Sequence, residues 1–195
     1  MLISSPAYTH PEFLQAAIEA NKHVYCEKPV APDVEGCKRV ERAGASVKGK
    51  LSVVVGFQIR HASPYVEMVK RIHRGDIGDV LNAQLYYFSS EVKLKPYKDI
   101  PYDEARIRNH FHFRDLSGGI LLDQGIHMLD VCNWTLQGHP LSAIGTGSNN
   151  HGAEFGDAWN NYQAVYEYPQ GTHVSFHCSQ IGNVFGDVCA RFIGT

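Results

Sequence analysis

Apolar positions along the first 57 residues fall into alternating strand and helix patterns. Leu2 and Ile3 open a short apolar strand that breaks at Ser4-Ser5-Pro6. Phe13, Leu14, Ala17 and Ile18 then recur on one helical face. Thr9-His10-Pro11-Glu12, just ahead of them, has capping-box spacing, with Thr9 as N-cap, Glu12 at N3 and a proline in the first turn. The pattern predicts a helix running to about Asn21. His23 to Cys26 reads as the next strand, Asp33 as the N-cap of a helix to about Val47, and LSVVVGF at 51–57 as a continuous apolar run. Continuous apolar character is what a strand covered on both faces requires, as in a parallel sheet. The order strand, helix, strand, helix, strand predicts a right-handed half of a doubly wound sheet.

After Gly56 the pattern changes. Tyr65, Val66, Val69 and Ile72 mark an amphipathic helix stopped by Gly75, and residues 79–90 read as a long strand. From Glu91 to Ser117 a loop is expected, rich in aromatic and cationic side chains, of a length that in compact domains is functional or disordered. A helix begins near Gly119. The remainder reads as antiparallel strands at about 141–149, 160–168, 172–180 and 187–194, with Pro169-Gln170-Gly171 as a hairpin turn. The fold class is therefore α/β then α+β: residues 1–57 as the C-terminal half of a doubly wound sheet, and 58–195 as a second domain with a large, mostly antiparallel sheet. In this reading the second sheet is cut short at Thr195.

Composition narrows the function classes. With 195 residues, 44% of them hydrophobic, the chain can bury one core or two small ones. A formal net charge of −2 without a basic block offers nothing to nucleic acid or an acidic membrane surface. The five cysteines are odd in number and show no C-x-x-C pair, which argues against a disulfide framework or a zinc ribbon and for a reducing, cytoplasmic setting. MLISSPAYTH has no basic or apolar leader character, and no stretch is apolar for long enough to span a bilayer.

Two places carry candidate chemistry. The strand HVYC ends in Glu27-Lys28-Pro29, where the proline stops the strand and holds Lys28 extended. In the helix near Gly119, a rotation of about 100° per residue puts Asp123, His127, Asp130 and Trp134 on one stripe, while Leu122, Ile126 and Leu129 face elsewhere. Gly118-Gly119 and Gly125 allow close backbone approach there. A pocket wall accounts for a tryptophan on that stripe better than a solvated face does.

Three separated stretches, LISSPAYTHPEFLQAAIEANKHVYCEKP, GFQIR at 56–60 and SGGILLDQGIHMLDVCNW, occur in the order found in the glucose-fructose oxidoreductase / inositol dehydrogenase / MocA (Gfo/Idh/MocA) family, which the chain resembles over essentially its whole length. The resemblance implies a nicotinamide-dependent oxidoreductase, using NAD or NADP, acting on a sugar, cyclitol or glycoside. It implies that Lys28 reaches the nicotinamide and the reacting hydroxyl and that Glu27 lies beside the nicotinamide ribose. It places Ser5, Pro6 and His10 at the turn and helix start flanking the cofactor, Gln58 and Arg60 near the nicotinamide, and Asp123 and His127 as the substrate-domain pair with the histidine as acid/base. Lys28, Asp123 and His127 form the expected catalytic group. No G-x-G-x-x-G occurs in the chain, so the phosphate-cradling half of the dinucleotide fold, at least one βαβ unit of roughly 30 residues, is expected ahead of Met1.

Oxidising a secondary alcohol requires a base at its oxygen while hydride leaves its carbon, and imidazole, with an unperturbed pKa of about 6.5, suits that exchange. In the 91–117 segment, Tyr97, Arg108, Asn109 and His110 are candidates for contacts to a polyhydroxylated substrate, and Tyr102, Arg106 and His112 stand among them. Asn109-His110 departs from the Asn-Trp pair common in the family. His110-Phe111-His112 and Asp123-x-x-x-His127 could instead supply metal ligands, but no third motif has ligand spacing and no metal is expected. His173, Ser175, His177 and Ser179 read as the outer face of a half-covered strand. The alternatives are a binding or assembly module without redox chemistry and an NAD-dependent glycosidase of the same family; a homo-oligomer formed through the open sheet fits either enzyme or module.

Overall fold

The computed structural model describes residues 1–150, 153–181 and 185–195, and the chain packs as two compact units. The first comprises Met1–Phe57, Leu94–Asp123 and Ala153–Ala158; the second comprises Gln58–Lys93, Gln124–Gly152 and Trp159–Thr195.

In the first unit, β1 (Leu2–Ile3), β2 (Val24–Glu27) and β3 (Val53–Gly56) form a parallel sheet in that order, with Tyr25 opposite Leu2 and Val54. The connections are α1 (His10–Glu19) and α2 (Val34–Ser46). Asp33 caps α2 as predicted, its Oδ1 accepting from the Gly36 N–H at 2.7 Å. Thr9 does not cap α1. Its own backbone is already helical (φ −90°, ψ −15°), its N–H closing a 3-10 turn over Ala7–Thr9 on Pro6 O at 3.0 Å, and its hydroxyl donates to the same oxygen at 2.8 Å. One core holds the unit together: Ile3, Val24 and Cys26 of the sheet against Leu14, Ala17 and Ile18 of α1 and Val40 and Ala43 of α2.

Both helices serve the same face, so the expectation of a sheet covered on two faces fails within this unit: Leu2 is 80% exposed and Tyr25 and Val54 also face outward. Phe13, expected on the buried face of α1, is exposed as well. The 91–117 segment is not one open loop. It contains α4 (Tyr102–Arg108), a 3-10 turn at His110–His112 and α5 (Arg114–Ser117), because backbone bonds from Asn109, Phe113 and Gly118 at their ends and the Asn109 side chain supply its backbone with partners.

The second unit packs α6 (Ile126–Leu136) on a sheet of order β5-β6-β7-β4-β8, with α3 (Ser63–His73) against α6. The strands are β4 (Val80–Phe88), β5 (Ser142–Ser148), β6 (Asn161–Glu167), β7 (His173–Ser179) and β8 (Asp187–Gly194). The sheet is mostly antiparallel, but its centre is a parallel β4–β7 pair with Leu85 opposite Phe176. β7 buries Val174, Phe176 and Cys178 and turns His173, Ser175, His177 and Ser179 the other way, as the alternation predicts. Gly75, with φ +90°, ends the α3 segment, and Pro169–Gly171 makes the β6–β7 turn. On the sheet's uncovered face, Ile144 of β5 is 82% exposed beside its partner Val165 of β6. Among the described residues no helix is long and apolar enough to cross a membrane. The five cysteines form no disulfide among the described residues.

Candidate functional site

At the carboxyl ends of β1 and β2 the first unit gathers the residues singled out around the cofactor. His10, buried in the first turn of α1, places Nε2 2.6 Å from Ser5 O and Nδ1 2.7 Å from Pro29 O, tying the turn after β1 to the turn after β2. Ser5 and Thr9 share a hydroxyl hydrogen bond of 2.6 Å, and Pro6 O accepts from Thr9. The Glu27 carboxylate lies against Gly56 across the parallel pair: a Cβ at Gly56 would stand 2.8 Å from Glu27 Oε2, so a larger residue there would displace the carboxylate.

Lys28 leaves this rim toward Asp123. Its ammonium donates to the backbone carbonyl of Asp123 and stands 3.4 Å from Asp123 Oδ1, with the two side chains 17% and 32% exposed. Two residues separated by 95 positions are thereby paired in a partly desolvated setting, where the attraction is stronger than in open water. The chain approaches Asp123 through Gly118 and Gly119, both in the left-handed region (φ +75° and +66°), where a side chain would be strained. Asp123 itself sits in a π turn over Leu121–Gly125 that runs into α6. Such turns carry an extra residue and recur at functional sites. The predicted stripe assumed a regular α-helix, and the π turn breaks it: Asp123 turns to Lys28, while Asp130 binds Arg60.

In the second unit His127 is buried one residue into α6, its ring stacked on Tyr87 with centroids 6.4 Å apart. Gly125 just before it has no room for a Cβ, which would meet Phe176 Cζ at 2.8 Å and Cys178 Sγ at 3.0 Å. The neighbouring thiols are inert: burial pushes Cys132 up to about 11 and Cys178 up to about 12. Gln58 and Arg60 lie in a 3-10 turn, and the Arg60 guanidinium is committed to Asp130 by a bidentate pair at 2.8 and 2.9 Å and lies over the Trp134 ring at 5.5 Å. Sequence reasoning listed Asp130 and Trp134 on the stripe and Arg60 by the nicotinamide, but did not join them.

The candidate substrate residues of the 91–117 segment each have partners within the first unit. Tyr97 stacks on Phe155 at 4.7 Å and hydrogen-bonds the Glu154 carboxylate, which holds the phenol above its ordinary range. Arg108 pairs with Glu104 one turn earlier. Asn109 is 3% exposed and spends its amide on the backbone of Lys95 and Ala105. His110 Nδ1 lies 3.1 Å from Ile107 O. Among the described residues no three His, Cys, Asp or Glu side chains converge as metal ligands. One cluster had no sequence signal: Ser89, Gln124 and Gln180 join their side chains at the start of α6.

Comparison with known proteins bears on both units. Residues 1–57 match the family model described as the oxidoreductase family with an NAD-binding Rossmann fold, and residues 65–195 match the GFO/IDH/MocA C-terminal domain. Inositol 2-dehydrogenase 3 of Saccharopolyspora erythraea is 34% identical over 143 residues, covering 73% of this chain and 36% of that protein. The myo-inositol 2-dehydrogenase of Lactobacillus plantarum superposes with a TM-score of 0.78 at 23% identity, over 100% of this chain and 54% of the other. A levoglucosan dehydrogenase solved with NADH and levoglucosan superposes with a TM-score of 0.79 at 23% identity, over 99% of this chain and 51% of the other. The two superpositions establish the shared fold. The chain spans a little over a third of the length of the curated relative.

Proposed function

We propose that this chain, which belongs to the Gfo/Idh/MocA family, is the part of an NAD(P)-dependent oxidoreductase that moves hydride between the nicotinamide and a secondary alcohol of a sugar, cyclitol or glycoside. The observation that carries the reading is the partly buried Lys28–Asp123 pair at the carboxyl end of a parallel sheet, the end at which open α/β folds bind ligands. Residues 1–57 are assigned to the dinucleotide-binding domain and 58–195 to the substrate domain. The curated relatives named as inositol dehydrogenases point to a cyclitol as the first substrate to test.

The residues at that rim suit the nicotinamide end of the cofactor. Ser5 offers a hydroxyl, Glu27 a carboxylate for ribose hydroxyls and Lys28 an ammonium, with Pro6 and His10 shaping the turn between them. When bound, the nicotinamide supplies the hydride acceptor or donor. His127 takes the proton from the reacting hydroxyl, and delivers it in the reverse direction. The Lys28 ammonium steadies the negative charge that grows on that oxygen, and Asp123 fixes where the ammonium points while accepting from an adjacent substrate hydroxyl. Gln58 and Arg60 border the nicotinamide in this assignment, Arg60 held by Asp130. Tyr97, Arg108, Asn109 and His110 contribute to substrate contact through the segment that carries them. Self-association through the uncovered face of the five-stranded sheet is part of the proposal, supported by Ile144 and Val165 on it, as is a cytoplasmic location.

The test is turnover of NAD and NADP with a panel of cyclitols and aldoses by the full-length enzyme, alongside Lys28→Ala and His127→Ala. Each substitution is expected to lower kcat by about 10²–10⁴-fold. Wild-type turnover in His127→Ala refutes the acid/base assignment. Polyol binding by calorimetry without any turnover favours the binding module.

A further inference from the structure

We propose that Gln180 is a positioning residue for His127, acting through Gln124; the proposal rests on the reading of His127 as the acid/base. Ser89 and Gln180 directly follow β4 and β7, the parallel pair at the centre of the second sheet. Their backbones are fixed there, the Ser89 N–H donating to Ser179 O at 3.0 Å and the Gln180 N–H to Asn160 O at 2.8 Å. From those fixed points both side chains converge on one atom. Gln180 Nε2 donates to Gln124 Oε1 at 2.7 Å, and Ser89 Oγ donates to the same oxygen at 3.0 Å. Gln180 Nε2 also donates to Ser89 Oγ at 3.1 Å, closing the triangle.

Gln124 lies in the π turn three positions before His127, and its neighbour Gly125 is pressed on Phe176 and Cys178 of β7. The start of α6 is thus pinned to the sheet by a polar bond at one residue and by close packing at the next. Gln180 is 3% exposed, so its amide has little water to replace a lost partner. A shift of the turn carries the His127 ring with it, because the ring is only two residues beyond Gly125 and rests on Tyr87.

The geometry demands an acceptor at position 124 and a donor at position 180. Gln124→Glu keeps the acceptor for both donors, whereas Gln180→Glu sets a carboxylate against the Gln124 carbonyl oxygen. The two substitutions are equal in size and in charge, so packing or net charge alone predicts equal effects. In ¹H–¹³C spectra of the imidazoles, the His127 cross-peak should stay in place in Gln124→Glu and move or split in Gln180→Glu. In the full-length enzyme, Gln180→Glu is expected to lower kcat by about 10–100-fold, as a small misplacement of a catalytic group does, with the cofactor KM held and Gln124→Glu close to wild type. Equal behaviour of the two variants, or a wild-type His127 signal and kcat in Gln180→Glu, overturns the proposal. If the wild-type enzyme turns over no polyol, the functional reading falls, and the imidazole spectra still decide the positioning. Should Gln180→Glu fail to fold, Ser89→Ala removes one donor only; a smaller displacement of the His127 signal is then expected, and none overturns the proposal.

Discussion

Replacing Asn109 by alanine separates a substrate-contact role from a scaffolding one. The side chain makes three bonds to backbone: it accepts from Lys95 N–H at 2.8 Å and donates to Ala105 O at 3.0 Å and to Lys95 O at 3.3 Å. The first two have full hydrogen-bond geometry and the third is marginal; at about 0.5–1.5 kcal/mol each, the set is worth about 2 kcal/mol. Ala105 O keeps a partner in the Asn109 backbone N–H, and Lys95 is exposed, so water limits the penalty at both. Two kcal/mol corresponds to a fall in Tm of roughly 4–8 °C for a chain of this size. The assay is thermal unfolding followed by circular dichroism, with Arg108→Ala as the companion: its exposed i,i+4 pair with Glu104 is worth no more than about 0.5 kcal/mol. A Tm for Asn109→Ala equal to that of Arg108→Ala, together with a raised substrate KM, refutes the scaffolding argument and leaves direct substrate contact as the role of Asn109.

Gly125→Ala forces a methyl group against Phe176 and Cys178 and is expected to destabilise the chain by about 1–3 kcal/mol in urea unfolding. Iodoacetamide at pH 8 should label the exposed Cys37 in the native protein and reach Cys26, Cys132 and Cys178 only on unfolding. Burial holds those three thiols protonated, up to about 11, 11 and 12. Above about pH 9 the unfolded chain therefore binds fewer protons than the folded one, and stability should fall as pH rises toward 11. A stability curve flat over that range contradicts the burial argument.

The helix and strand pattern was legible where one residue type forces one conformation. Asp33 caps α2 by accepting from Gly36, and Gly75 stops α3 in a left-handed turn. Thr9 misled because Ser5 and Pro6 offered its hydroxyl better partners than the helix did. The 91–117 segment looked structureless since its order comes from Asn109 and from Glu154 and Phe155, contacts that periodicity does not register. The grouping of Lys28, Asp123 and His127 came from the family resemblance, and the π turn that separates Asp123 from the rest of the stripe leaves no compositional mark. Gln180 was invisible for a simpler reason: a glutamine at a strand end is ordinary until the atom it donates to is known.

The parallel β4–β7 pair also sets a timetable. Ser89 and Gln180, which close its end, stand 91 residues apart. At synthesis rates of about 5–20 residues per second, β4 waits roughly 5–20 s on the ribosome before either neighbouring strand exists. During that interval Ala83 and Leu85, later among the most deeply buried residues, have no sheet to enter. An interior strand of the finished sheet is thus the one left longest without company, so nascent chains stalled between these two points should be the form on which chaperones and aggregation compete.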